Sequence, residues 1–311
     1  MRLVRPLHIA LACAIVPMLA TAAPEPPKTF PSAQEILDAS PKSDWHVLDP
    51  NNTLYLELAS GRVIIELAPD FAPEHVANIR AFAHAGYWNG LSILRSQDNF
   101  VVQWGDPDAG EKTAKPLGAA KAHLPAEFTR SMNGVTFTRL PDADGWAPEA
   151  GFVGDFPAAL NPREHLAWMT HGYGVIGAGR DTAPDSSNGS ELYVVTGQAP
   201  RQLDRNITIV GRVVQGMELL SVLPRGTGPL GFYEKPEQRV AIKAIRLAAD
   251  VPEAERTPIE LLRTDSATFT AATEARRNRR DGWYVRPAGH IDLCNVPLPA
   301  RDPTKATAKP R

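Results

Sequence analysis

The sequence predicts a mainly β fold, an antiparallel barrel capped by two short helices. Short apolar runs recur between turns along most of the chain, and only two short helical patterns interrupt them. Proline accounts for 29 of the 311 residues, about twice its usual share, which favours many turns over long helices. Many short strands with few helices are typical of barrels.

The first predicted elements are a hairpin and a helix. Leucines alternate with other residues over 54–58, a Ser-Gly pair interrupts the run, and a second apolar run covers 63–67. This pattern predicts two strands joined by a tight turn. Pro73 then suits a first helical turn, apolar residues follow at helical spacing, and Gly86 can end the helix.

Later apolar runs predict six more strand segments and the second helix. The runs cover 91–94, 100–104, 175–178, 192–196, 207–214 and 240–247, and the helix covers about 217–223. Two regions lack this recurrence of short apolar runs. Residues 130–171 are interpreted as a long inserted loop, and residues 250–311 as a C-terminal extension with a helix near 266–280 and a mobile tail after Ala300.

The N-terminus has the order of a cleavable export signal. Arg2 and Arg5 precede an apolar stretch over 7–19, and small residues follow. Cleavage after Ala22 predicts a signal peptide over 1–22 and a Pro-, Asp- and Ser-rich leader over 23–50. We therefore expect a periplasmic or secreted protein that is not attached to a membrane after cleavage.

The remaining composition is ordinary for a globular protein and indicates neither a nucleic-acid partner nor an internal disulfide. The hydrophobic fraction is 43%, the charged fraction is 22% and the formal net charge is −2, so nothing indicates a nucleic-acid partner. After loss of the signal, Cys294 is the only cysteine. It cannot form an internal disulfide, and we interpret it as a small buried residue rather than a reactive thiol.

Several partial motifs do not complete a known site. Gly172, Gly174 and Gly177 have the G-x-G-x-x-G spacing, but no apolar strand precedes them and no helix follows, so they are interpreted as loop and strand glycines. Asp142 and Asp144 begin like a calcium loop that lacks its final glutamate. No metal-ligand spacing and no nucleophile–base pair appears, so neither a metal nor a cofactor is predicted.

The most informative segment places Arg95, Phe100 and Gln103 at spacings of five and three. A plain strand would put Phe100 on the face opposite Arg95 and Gln103. A turn over 97–99, which reads Gln-Asp-Asn, would bring the three side chains together.

The order R-x4-F-x2-Q-x-G-D resembles the active-site segment of the cyclophilin family. The first hairpin and helix, the N-G-S-E-L-Y run over 188–193 and the V-G-R-V-V-Q-G-M run over 210–217 are similar to further blocks of that family. The agreement extends over about 53–247. It implies a closed eight-stranded barrel in an isomerase domain over 51–249 with the insertion at 130–171.

The resemblance implies peptidyl-prolyl cis–trans isomerase activity on proline-containing polypeptides, which needs no cofactor. Arg95 would act on the prolyl amide, and Gln103 would hold Arg95 and the substrate backbone. Phe100 is the third member of this catalytic set and belongs to the socket for the proline ring. The substrate-binding residues implied are Val101, Gly179, Glu191, Tyr193, Leu203 and Ile207.

Departures from the family pattern leave the catalytic efficiency open. Glu191 stands where glutamine is common, Tyr193 where phenylalanine is, and Ile207 near a frequent histidine. Gln202 replaces an aromatic residue, which predicts poor cyclosporin binding. Glu191 could also pair with Arg95 and compete with the amide for it.

Two other readings compete with an efficient isomerase. The first is a weakly active or inactive chaperone or binding module for proline-containing segments, whose partner surface would be the aromatic residues of 130–171. The second, an unrelated barrel-shaped hydrolase, is disfavoured because it lacks a nucleophile–base pair. We expect a monomer; the sequence does not identify client proteins.

Overall fold

The computed structural model describes residues 30–280 and 283–305. The predicted signal peptide over 1–22, the start of the leader and the last six residues of the tail lie outside these described residues. None of the helices within the described ranges is long and apolar enough to span a membrane.

The described chain contains seventeen strands and four α-helices, which occur in chain order. The strands are β1 Trp45–Val47, β2 Thr53–Leu58, β3 Gly61–Leu67, β4 Ser92–Ser96, β5 Val101–Gly105, β6 Arg130–Ser131, β7 Thr138–Arg139, β8 Glu149–Val153, β9 Phe156–Asn161, β10 Leu166–Met169, β11 Val175–Ala178, β12 Leu192–Val195, β13 Ile209–Gln215, β14 Val240–Ala241, β15 Ala244–Leu247, β16 Glu260–Leu262 and β17 Ala300–Arg301. The helices are α1 Ala33–Asp38, α2 Pro73–His84, α3 Met217–Ser221 and α4 Ala267–Arg277.

The main sheet has nine strands in the order β14-β4-β5-β12-β11-β13-β3-β2-β15. The predicted hairpin consists of β2 and β3, which pair antiparallel. Thr53 lies opposite Glu66 at one end, and Leu58 lies opposite Gly61 at the turn. Alternate residues of these strands face the core, where they pack with α2 through side chains such as Ile79 and Phe82. The predicted helices at 73 and 217 are present as α2 and α3.

The mainly β class with few helices is confirmed, but a closed eight-stranded barrel is not shown. The strand pairings run from β14 at one edge of the curled sheet to β15 at the other, and no pairing between these two strands closes the sheet. These two edge strands are consecutive along the chain. Between them, the Ile242 N–H donates to the Leu91 carbonyl at 2.8 Å and the Lys243 N–H donates to the Glu57 carbonyl at 2.9 Å.

The prediction of a loop over 130–171 was wrong. This segment forms a second antiparallel sheet of five strands in the order β6-β10-β9-β8-β7. Its strands are hard to detect in sequence because β6 and β7 have two residues each, and β9 contains Pro157 and two alanines, which have low β propensity. Ala158 and Leu160 of β9 pack against Phe71 and Ile209, so the insertion is joined to the main body by an apolar contact.

The leader and the C-terminal extension form one further layer. Strands β1, β16 and β17 form a three-stranded sheet, and the predicted C-terminal helix is present as α4. Phe269 of α4 packs edge-to-face on Phe152 of the inserted sheet, with ring centroids 5.1 Å apart. Part of the leader and of the tail is therefore ordered β-structure.

Candidate functional site

Arg95 and Gln103 lie opposite each other on neighbouring strands. They are register partners on β4 and β5, and the Arg95 Nη1–H donates to Gln103 Oε1 at 2.9 Å. The predicted turn after Arg95 is present. Asn99 adopts a positive φ of 50°, and the Gln97 N–H donates to the Val101 carbonyl at 2.9 Å. This turn returns Phe100 to the side of the arginine.

The guanidinium of Arg95 is held on several sides. Its Nε–H donates to the carbonyl of Leu230 at 2.7 Å, and its Nη2–H donates to the side chain of Gln97. The rings of Phe100 and Phe232 lie 5.4 and 5.3 Å from its Cζ, within cation–π range. Burial lowers the pKa of Arg95 and the charge of Glu191 opposes this shift; an arginine nevertheless stays protonated in proteins.

Glu191 holds the other end of Gln103. The Gln103 Nε2–H donates to Glu191 Oε1 at 2.5 Å, which orients the amide so that its oxygen faces Arg95. Burial raises the pKa of Glu191, with Asp181 acting in the same direction, while Gln103 and Arg95 oppose the rise. Among the described residues, Glu191 contacts Gln103 and forms no ion pair with Arg95. We call Arg95, Gln97, Gln103 and Glu191 the front network.

An apolar cluster lies beside the front network. Val101, Tyr193 and Val195 form its buried part, and Phe100 and Ile207 pack against it while remaining partly exposed. Four of the predicted socket residues are therefore together. Tyr193 is also the register partner of Gln103, so the socket and the amide share the β5–β12 pairing.

Besides Glu191 of the front network, two predicted binding residues lie outside this cluster. Leu203 is half-buried at the end of the 3-10 turn Arg201–Leu203. Gly179 is half-buried, and its N–H donates to the backbone carbonyl of Glu191 at 2.8 Å. A Cβ on Gly179 would lie 3.4 Å from the Glu191 Cγ, so this position borders the front network through Glu191.

The sequence interpretation missed a buried polar chain behind the cluster. The Tyr193 hydroxyl lies 3.0 Å from His171 Nε2, and His171 Nδ1 lies 3.0 Å from Asp204 Oδ1. Arg201 donates from Nε to Asp204 at 2.6 Å and from its two terminal nitrogens to Asp144 at 2.9 and 3.0 Å. We call Tyr193, His171, Asp204, Arg201 and Asp144 the back network.

The back network is buried at Tyr193, His171 and Arg201, and its two aspartates are partly exposed. The side chain of His171 is fully buried, and those of Arg201 and Asp204 are 4% and 8% exposed. Burial opposes ionisation of Asp204, but the hydrogen bonds from His171 and the charge of Arg201 outweigh it, so the pKa of Asp204 lies below its ordinary value. Burial raises the pKa of Tyr193, so its phenol is neutral.

The isolated cysteine lies next to this network. Burial raises the pKa of Cys294 to about 11, so its thiol is protonated at neutral pH, and a thiol is a much weaker nucleophile than a thiolate. A Cβ on Gly172 would lie 3.0 Å from the Cys294 Sγ. Within the described residues, no group of three or more His, Cys, Asp or Glu side chains is arranged to hold a metal ion.

The site thus combines an apolar surface with one oriented cationic donor. The surface can bind a small apolar ring, and the guanidinium can donate to a polar atom beside that ring. Arg95 has five N–H donors in a planar fork, and three of them reach Leu230, Gln97 and Gln103. Two donors are left for a ligand.

Comparison with known proteins identifies relatives of the central part of the chain. Residues 53–247 match the family model of cyclophilin-type peptidyl-prolyl cis–trans isomerase/CLD. A probable peptidyl-prolyl cis–trans isomerase of Brucella suis is 28% identical over 179 residues, which are 58% of this chain and 74% of that protein. Human peptidyl-prolyl cis–trans isomerase-like 1 is 30% identical over 184 residues, 59% of this chain and 83% of that protein.

One solved structure extends this similarity to the fold. The crystal structure of cyclophilin AquaCyp293 from Hirschia baltica superposes with a TM-score of 0.67 and 24% sequence identity. The superposition covers 88% of this chain and 98% of that one, so the shared fold includes residues beyond those that the family model matches.

Proposed function

Since the chain belongs to the family of cyclophilin-type peptidyl-prolyl cis–trans isomerases, we propose that it accelerates X–Pro bond rotation in exported proteins through Arg95, Phe100 and Gln103. The observation that carries this proposal is the position of the Arg95 guanidinium. It is oriented by Gln103 and lies directly beside the apolar cluster of Phe100 and Tyr193.

Amide resonance explains what such a site must do. The barrier to rotation of an X–Pro bond is about 20 kcal/mol, and the uncatalysed reaction takes about 10–100 s. In the twisted transition state the prolyl nitrogen loses its conjugation and becomes pyramidal, so it can accept a hydrogen bond. A donor that reaches this nitrogen stabilises the twisted amide more than either planar form, and this difference is the source of catalysis.

The remaining residues supply binding and orientation. We assign Phe100, Val101, Tyr193 and Ile207 to the socket that holds the proline ring. Gln103 accepts one N–H of the guanidinium and keeps it oriented; with the bonds to Leu230 and Gln97, two of the five N–H donors remain for the substrate. Glu191 acts on Gln103, and we place Gly179 and Leu203 at the borders of the binding surface.

The decisive experiment is a cis–trans exchange measurement on a proline peptide with the chain as it exists after export. We expect catalysis by the wild-type protein and a loss of about 100-fold or more in kcat/KM for Arg95→Ala, because removal of one transition-state donor has this order of effect. Arg263→Ala is the matched control, since Arg263 is an exposed arginine paired with Asp265. Activity of Arg95→Ala near that of Arg263→Ala would disprove the assignment.

A second candidate function is a binding module with little catalysis. It is supported by the engagement of three of the five Arg95 donors within the protein, which obliges a substrate to bind an arginine that is already partly satisfied. Refolding of a protein limited by proline isomerisation separates the two. A catalyst accelerates refolding at substoichiometric concentration, and a binding module does not.

The proposal of export rests on the N-terminal sequence. Arg2, Arg5, the apolar stretch over 7–19 and the small residues before Ala23 have the composition of a signal peptide. Expression of the full chain followed by fractionation and N-terminal sequencing of the product tests it. We expect a mature protein that begins at Ala23 in the periplasm or the medium; an uncleaved product in the cytoplasm would contradict export.

We also propose that the segment 240–247 closes the main sheet into an eight-stranded barrel. This segment would count as a single strand, with β14 pairing with β4 and β15 pairing with β2. The bonds of the Ile242 and Lys243 amides to Leu91 and Glu57 support this arrangement. Slow hydrogen exchange of both amides is expected; exchange at the rate of an exposed loop would argue for an open edge.

A further inference from the structure

The floor of the apolar cluster contains a polar atom that has no access to solvent. Tyr193 is 5% exposed and packs with Val101 and Val195, yet its hydroxyl needs a hydrogen-bond partner because burial of an unpaired hydroxyl is costly. The partner is His171, which is itself fully buried. A phenylalanine would fill the same volume without this requirement, so the hydroxyl and the histidine are dependent on each other.

The hydrogen bonds around His171 assign its proton. Asp204 Oδ1 accepts the backbone N–H of His171 at 2.8 Å and lies 3.0 Å from Nδ1. Because the Asp204 carboxyl is ionised, it can only accept, and Nδ1 must carry the proton. In the neutral imidazole Nε2 then has a free lone pair, which can accept the hydrogen of the Tyr193 hydroxyl, whose oxygen lies 3.0 Å away. Each side-chain polar atom in this series of hydrogen bonds then acts only as a donor or only as an acceptor toward its neighbour.

A glycine provides the space for the tyrosine ring. A Cβ on Gly177 would lie 2.2 Å from both Cζ and the hydroxyl oxygen of Tyr193. The ring therefore lies directly across the backbone of β11, and its plane is within 9° of that of the His171 ring. The missing side chain of Gly177 leaves room for the Tyr193 ring on one side, and the hydrogen bond to His171 holds its hydroxyl. Together they set the orientation of the ring.

We propose that His171 and Asp204 are positioning residues that hold the Tyr193 ring as the floor of the proline socket. This inference rests on the proposed function of the socket. Arg201 extends the support, because it binds Asp204 and also holds Asp144 with both terminal nitrogens. Asp144 belongs to the inserted segment, so the insertion stabilises the socket from behind.

The expected consequence is on substrate binding rather than on the chemical step. Loss of the histidine acceptor leaves a buried hydroxyl without a partner, and the ring must shift or the hydroxyl must stay unbonded. Either change alters the shape of the socket, whereas Arg95 and Gln103 keep their own bonds. The substitution should therefore raise KM and leave kcat nearly unchanged.

Two variants of His171 separate its two bonds. In His171→Asn the amide nitrogen can occupy the place of Nδ1 and still donate to Asp204, but the side chain is too short to reach Tyr193. In His171→Gln the amide oxygen can reach the place of Nε2 and accept from Tyr193. We expect KM to rise about three- to tenfold for His171→Asn, the usual worth of one hydrogen bond, and to stay closer to the wild-type value for His171→Gln.

A double-mutant cycle with Tyr193→Phe decides between positioning and general structural damage. If His171 acts through the hydroxyl, His171→Asn should change KM less than twofold in the Tyr193→Phe background. Equal effects of His171→Asn in both backgrounds would overturn the inference. Affinity for an unreactive proline-containing peptide, measured by NMR titration, should follow the same pattern.

The same measurements distinguish the failure of this inference from the failure of the proposed function. If the wild-type protein does not catalyse exchange, the proposed function fails, and the peptide affinities of the His171 and Tyr193 variants still test the positioning role. If the wild type is active and Arg95→Ala is not, while His171→Asn retains the wild-type KM and peptide affinity, the positioning role is wrong.

Discussion

The front and back networks border the same apolar cluster but differ in charge and in access to water. The front network has one arginine, two amides and a carboxyl, and Arg95 remains partly exposed. The back network has one arginine between two carboxylates, and its histidine is fully buried. Both contact the cluster through β5 and β12, since Gln103 and Tyr193 are register partners.

Under the proposed function, this difference would let one socket combine reactivity with rigidity. A guanidinium that acts on substrate must keep free donors and exchange water for a ligand, so it can contribute little to folding stability. A buried arginine with two carboxylates cannot lose a partner without leaving an uncompensated charge. We therefore expect substitutions in the front network to change activity, and substitutions deep in the back network to change stability.

The largest expected effect is that of Arg201→Met on stability. The substitution leaves Asp144 and Asp204, whose side chains are only 10% and 8% exposed, without their common cation, which should lower the free energy of unfolding by about 3–5 kcal/mol. Urea denaturation measures the loss. Arg263→Met, at an exposed ion pair, is the control and should cost less than about 1 kcal/mol. Similar losses in the two variants would remove the contrast between the networks.

A smaller effect, and one confined to activity, is expected for Arg95→Lys. Lysine keeps the charge but cannot reproduce the planar fork that binds Leu230, Gln97 and Gln103 together. We expect kcat/KM to fall about tenfold or more and the free energy of unfolding to change by less than about 1 kcal/mol. A loss of stability as large as that of Arg201→Met would show that the front network is also structural.

The smallest expected effect is the change that Glu191→Gln makes to the pH dependence of folding stability. Burial raises the pKa of Glu191 above 4.5, so the folded protein keeps a proton that the unfolded chain releases. The stability of the wild type should therefore fall as the pH rises from about 4.5 through the raised pKa. Glutamine behaves like the protonated acid and still accepts the bond from Gln103. We expect the variant to match the wild type at pH 4 and to be more stable at pH 8.

Glu127→Gln is the control with the opposite sign. Burial acts against ionisation of Glu127, but the bonds from His75 and the backbone N–H of Glu74 and His75 outweigh it, so its pKa is lowered. This carboxylate stabilises the protein above about pH 4.5, and its contribution is lost as the pH falls through the lowered pKa. The variant should be less stable than the wild type at pH 8. The same sign for both variants would contradict the assigned environments.

The part of the front network on β4, β5 and the turn between them was largely predictable because its residues are close in sequence, whereas Glu191 comes from a distant segment. Arg95, Phe100 and Gln103 fall within nine positions, so the geometry of one hairpin and one turn brings them together. The turn needed only local propensity, and Asn99 takes the positive φ that asparagine tolerates better than most residues. The contribution of Leu230 and Phe232 was missed, because it comes from a distant segment without regular periodicity.

The back network was not predictable because its members come from four separate segments. By sequence, Asp142 and Asp144 resemble the start of an incomplete calcium loop, whereas in the structure Asp142 binds Arg277 of α4 and Asp144 binds Arg201. The sequence predicts no special role for Gly177 among the three loop and strand glycines, whereas its missing side chain makes room for Tyr193. In each case the residue could be singled out in the sequence, but the residue that it contacts in the fold could not.

The sequence by itself determined the family, the first hairpin, α2 and the grouping of Arg95, Phe100 and Gln103, because alternation, caps and short spacings are local properties of a chain. Only the tertiary structure decided that residues 130–169 form a sheet and that a histidine lies behind Tyr193. The physical reason is that burial and charge pairing depend on which distant segments meet. A buried arginine between two aspartates has no local pattern, and its cost or benefit exists only once water has been excluded from all three.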